Sequence, residues 1–160
     1  MGVETLAIVN TPPERARLYF KFRPTRVELA ADPDATTHRA FGLPKVEVIA
    51  GEPEGGASQW PHRATLTELQ ATRVNPTGEL PEPRNIFEAM DFLNQKDGFR
   101  PTEVDEQVAA AHGTQLAGHF LIDREAIVRW AHVEAQDSSA GLSKFPGDDE
   151  ILTAARILQG

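Results

Sequence analysis

The chain has 160 residues, 40% of them hydrophobic, and a formal net charge of -8. That is long enough for one compact domain with its own core. The charge has the wrong sign for nucleic acid or an anionic membrane surface, both of which call for clustered Lys and Arg. No apolar run approaches the length of a membrane span. The opening MGVETLAIVNTPPE has no basic n-region, apolar h-region or small-residue cleavage site, so the cytoplasm is the expected compartment. There is no cysteine, which excludes disulfides and Cys-based zinc sites.

In chain order, residues 3–9 (VETLAIV) are β-branched and apolar enough for a buried strand. Thr11-Pro12-Pro13-Glu14 reads as a capping box opening a helix to about Phe22, with Leu18, Tyr19 and Phe22 on one face. Arg23-Pro24 stops it, because the residue before proline is pushed out of the α region. Residues 26–30 form a short strand, and Asp32-Pro33 opens a second helix that ends at Phe41-Gly42-Leu43-Pro44. The middle, 45–84, reads as loops around short apolar segments. Residues 46–49 suit a strand, GEPEGGAS and NPTGELPEPRN suit loops, and 64–74 fits either a strand or a short helix.

Asn85 caps a helix to about Lys96, with Phe87, Met90 and Leu93 expected inward and Gly98 closing it. Thr102 to Asp105 forms another capping box, for a helix to His112 and Gly113. Strands at 120–122 and 127–133 flank a turn at 123–126, and Asp148 caps a last helix striped by Ile151, Leu152, Ala155 and Leu158. No internal repeat is visible.

Two blocks of this chain resemble the alkyl hydroperoxide reductase and thiol-specific antioxidant group, the peroxiredoxin-like branch of the thioredoxin-like superfamily. GVETLAIVNTPPERARLYFKF and VELAADPDATTHRAFGLP are similar to the group's strand, helix, L-x-D-P segment and A-x-G-(L/V) helix end. GHFLIDREAIVRW is similar to its G-x-F-(L/I)-I-D-x-x-G-x-(I/V)-R hairpin, with GDDEILTAARIL as the closing helix. The resemblance implies an α/β, thioredoxin-like fold in a single domain over 1–160. Its core would be 2–44 and 114–159, with 45–113 as a long insertion before the hairpin.

The departures bear on activity. The group's reactive thiolate sits at a helix N-terminus, where the dipole and free amides lower its pKa. Here the similarity begins after that helix, and Ala117 stands where an Arg is common. The resemblance thus implies a redoxin-type oxidoreductase, while this chain is expected to be inactive as a peroxidase on its own, with no catalytic residue, cofactor or metal. A missing central strand would leave unpaired sheet edges. The fillers considered are segment 46–49, segment 64–74, a second copy of the chain, or an upstream cysteine-bearing segment.

His38, His62, His112, His119 and His132 are the histidines. Pairing Leu121 with Val128 would set His119 opposite Trp130, with His132 diagonal on the same face. These three form the expected substrate- or partner-binding surface; a shared metal or a proton relay is weaker, since spacing alone rarely makes a site. Ser58, His62 and Glu68 lack any G-x-S-x-G elbow. Gly55-Gly56 fits no phosphate-binding fingerprint, and Asp148-Asp149-Glu150 need only the helix dipole. Trp60-Pro61, Arg73 and Arg84 could line a loop. Two functions remain open: the carboxy-terminal part of a redoxin, or a non-catalytic binding or scaffold module working near His119.

Overall fold

A computed structural model describes residues 2–51, 59–75 and 78–158. Most of the GEPEGGAS segment, with Gly55, Gly56 and Ser58, and Pro76 and Thr77 of NPTGELPEPRN lie outside the described residues.

The architecture is mixed α/β, with four two-stranded sheets and six α-helices among the described residues. Strand β1 (Leu6–Val9), helix α1 (Pro13–Phe22) and strand β2 (Glu28–Ala31) make a parallel unit, Leu6 lying opposite Glu28. Pro12 rather than Thr11 is the N-cap of α1, and no side chain caps it, so the expected capping box does not form. Two consecutive prolines already preset the entry dihedrals there. Arg23 ends the helix as expected. Helix α2 (Thr36–Ala40) starts later than Asp32-Pro33 suggests, yet Asp32 still caps it, its carboxylate accepting from the Thr36 and Thr37 amides at 3.0 and 2.6 Å.

The middle is more ordered than its composition suggests. Strand β3 (Glu47–Ile49) pairs in parallel with β4 (Arg63–Thr65), and helix α3 (Leu66–Ala71) follows at once. Strand β5 (Arg73–Val74) then pairs antiparallel with β6 (Arg84–Asn85). Segment 64–74 is therefore strand, helix and strand in turn. Thr65 and Glu68 supply a complete capping box at the switch.

Segments 46–49 and 64–74 do not extend the β1–β2 sheet; they pair with each other and with β6. The buried cluster gathers here: Val46, Ala64, Leu69, Val74, Leu80 and Ala89 meet Leu116, Ala135 and Leu142 from the last third of the chain. Helix α4 (Ile86–Asp97) caps on Asn85 and ends at Gly98, whose φ of 72° is left-handed. Of the expected inward residues only Leu93 packs on the cluster, beside Ile86, Ala89 and Phe92, while Phe87 and Met90 are exposed. Both sets suit a 3.6-residue period, and only the docking angle chooses between them.

Helix α5 (Glu103–His112) opens with Asp105 accepting from the Thr102 amide at 2.7 Å. Helix α1 reaches this region through ions and rings. Arg15 binds Asp105, Arg23 binds Asp97 and Glu79, and Tyr19 meets Phe99 edge-on at 5.2 Å. Residues 44–46 bridge to 114–116, where the Leu116 amide donates to the Pro44 carbonyl at 2.9 Å.

The closing hairpin is β7 (Gly118–Ile122) and β8 (Val128–Val133). A Cβ on Gly118 would lie 2.6 Å from the Leu43 side chain and 2.8 Å from the Phe120 ring, so any larger residue would have to displace them. Asp123 clips the turn, its carboxylate accepting from the Glu125 and Ile127 amides and from Arg129. Ala126 sits at φ 61°, a conformation that favours glycine.

The 3-10 turn η1 (Ser139–Gly141) precedes α6 (Asp148–Ile157). Gly147, not Asp148, is the N-cap of α6. Of the expected stripe, Ala155 is buried while Leu152 and Leu158 are each 36% exposed.

Candidate functional site

The hairpin register assembles the site, and it differs from the expected one. His119 lies opposite His132, Leu121 opposite Trp130, and Ile122 opposite Val128, with a register shift between Leu121 and Ile122. Residue 127 belongs to the turn, and the bulge adds another residue to β8. The combined slip is two residues, and an even slip keeps every side chain on its face. His119, Trp130 and His132 therefore still share one side of the sheet, with the two imidazoles now directly across from each other.

Their rings are 6.1 Å apart, and the Trp130 indole lies within 18° of parallel to the His132 ring at 6.5 Å. Phe145, arriving from the segment before α6, approaches His119 at 5.7 Å. His119 Nδ1 is buried and has no hydrogen-bond partner among the described residues. Burial pushes the His119 pKa below its ordinary value, His132 adds to this, and Glu134 opposes it. The His119 ring is consequently neutral at neutral pH. His132 Nε2 lies 3.4 Å from the Lys144 carbonyl.

Glu134 holds this arrangement together, and the sequence reading did not single it out. Only 8% exposed, its carboxylate accepts from the Ala117 amide at 3.1 Å and the Ser143 amide at 2.7 Å. It ties the start of the hairpin to the segment that carries Lys144 and Phe145. The signal was faint: an acid one position past an alternating strand looks like any strand end. Ala117, where the resemblance expects an Arg, serves through its backbone. Trp60 packs on the core cluster and donates from Nε1 to the Ala135 carbonyl, so it braces the hairpin base instead of lining an open loop.

The other sequence candidates do not converge. Ser58 lies outside the described residues. The Glu68 carboxylate is engaged by the Thr65 amide and hydroxyl at 2.7 and 3.2 Å. The His62 backbone amide donates to the Gln59 carbonyl. Arg84 lies over the Phe92 ring at 4.9 Å. Asp148, Asp149 and Glu150 occupy the first turn of α6. Among the described residues there is no group of three or more His, Cys, Asp or Glu placed to hold a metal ion, and no helix is long and apolar enough to cross a membrane.

Two open depressions adjoin the site. One, of about 420 Å³, runs beside Ala131, His132 and Val133 to Ser138 and Lys144. The other, of about 490 Å³, lies between α3 and η1 and is lined by Arg73, Thr72, Ser139 and Lys144. They share Ala140 and Lys144. Of the three ring residues only His132 lines a depression, with Lys144 lining both and Arg73 the second. Comparison of the chain with protein-family models, with curated proteins and with solved structures gives no match in any of the three.

Proposed function

We propose that this chain is a cysteine-free, peroxiredoxin-like member of the thioredoxin-like group that works by binding, with His119, Trp130 and His132 as its recognition face and the cytoplasm as its compartment. The parallel β1–α1–β2 unit, the GHFLIDREAIVRW hairpin and the closing α6 support the kinship. One observation carries the function: two half-buried, near-parallel rings, Trp130 and His132, lie beside an imidazole whose buried Nδ1 has no partner among the described residues. A buried polar atom without a partner costs free energy, which a ligand donor or acceptor would recover.

A displayed library of random 12-residue peptides, panned on the full chain, tests this. Sequences should be retained by the wild type and lost on Trp130→Ala. Equal retention by the variant, or turnover of hydrogen peroxide with dithiothreitol, would overturn it.

A second reading rests on the β1–β2 unit, which gains no third strand among the described residues and leaves Leu6 58% exposed. Under it, the chain is the carboxy-terminal part of a redoxin whose cysteine-bearing strand and helix, or a second copy of this chain, covers that edge. An in-frame cysteine-containing segment directly upstream of Met1 in the gene would favour it over the first.

A further inference from the structure

We propose that the occupant of the hairpin face is an extended peptide with an acidic side chain, laid along the free edge of β8 and setting its carboxylate between Arg73 and Lys144. This deepens the binding-module reading and rests on it.

The edge comes first. Strand β8 pairs with β7 on one side, and no strand flanks its other side among the described residues. Its unprotected stretch, Trp130 to Val133, carries no Lys or Pro to discourage strand addition. An added strand satisfies backbone groups along such an edge and takes its specificity from alternate side-chain positions. The depression beside Ala131, His132 and Val133 follows the same stretch of backbone, giving the added chain room where it would need it.

Charge then selects the peptide. Ala140 and Lys144 line both this depression and the one lined by Arg73. Arg73 and Lys144 both line the second depression, and neither meets a carboxylate among the described residues; Asp137 lines the first depression, away from Arg73. Glu68 also lines the second depression, but its carboxylate is turned to Thr65. Two cations that line one depression, neither paired with a carboxylate among the described residues, are complementary to one acidic side chain. Glu134, by fixing the Ser143 amide, holds the backbone next to Lys144 in place against the hairpin.

The same peptide library decides the matter when panned in parallel on the wild type and on an Arg73→Gln/Lys144→Gln double variant. Both substitutions are at exposed positions, and an unchanged thermal melt verifies the fold. The expected result is enrichment of Asp or Glu at a fixed position on the wild type, lost on the double variant. A synthetic peptide of that sequence, titrated by fluorescence anisotropy, should bind about fivefold more weakly to the double variant, a size fitting two exposed ion pairs. Its Glu→Gln or Asp→Asn counterpart should lose a similar factor on the wild type. Trp130-dependent peptides with no acidic preference would overturn this inference and leave the binding-module reading standing. No Trp130-dependent peptide at all would overturn both.

Discussion

The β1–β2 unit and the β7–β8 hairpin carry the two halves of the proposed family resemblance, and they handle exposure in opposite ways. The first is parallel, a pairing that normally has both faces covered. Yet Leu6 is 58% exposed and Leu29 37% exposed, and no further strand joins the pair among the described residues. The second is antiparallel, which tolerates an open face, and its face carries Trp130, His132 and His119 beside Leu121. Its base is fastened by Glu134 and its tip by Asp123. Exposed aliphatic surface on a parallel pair asks to be covered, whereas the half-buried rings stand on a hairpin braced at both ends. Under the proposed binding role, recognition falls on the hairpin and not on the parallel unit.

The hairpin's bracing is the most sensitive point. Glu134→Ala leaves two part-buried amides without their acceptor and should cost about 1–2 kcal/mol in urea unfolding, together with loss of Trp130-dependent peptide retention. A stability unchanged within about 0.5 kcal/mol would mean the tie is not formed. At the tip, Ala126→Gly should stabilise the chain by about 0.5–1 kcal/mol, because the left-handed φ of 61° strains alanine but not glycine; destabilisation would argue against the turn conformation.

On the parallel unit, Leu6→Lys should change stability by no more than about 0.5 kcal/mol if the edge is free in solution. A markedly larger loss, growing with protein concentration, would favour a covering second copy.

The smallest effect is in pH. Folding lowers the His119 pKa, so as the pH falls below about 6.5 the unfolded chain takes up the proton first and stability declines until the folded-state value is passed. His119→Gln should flatten the urea midpoint between pH 7.5 and 5. Losses from Asp32, Asp105 and Asp123, whose pKa values are lowered, belong to a separate window below about pH 4.

Local chemistry was readable from the residues alone. The Arg23-Pro24 stop, the Asn85 cap, the Gly42 and Gly98 ends and the Asp123 turn all rest on neighbours within five positions, and they stand where the sequence puts them. So does membership of His119, Trp130 and His132 in one face, because a strand alternates strictly and an even slip preserves its parity. The absence of any thiol is likewise a property of composition.

What required the tertiary structure was everything set by distant partners. The bulge that puts His119 across from His132 depends on how the turn closes. The inward face of α4 depends on its docking angle. The concentration of the core in a stretch read as loops depends on Leu116, Ala135 and Leu142 arriving from far along the chain. Glu134 became part of the site only because Ala117 and Ser143, 17 and 9 residues away, bring their amides to one carboxylate. Periodicity and capping are short-range signals, and they carry no information about which distant backbone will meet a given side chain.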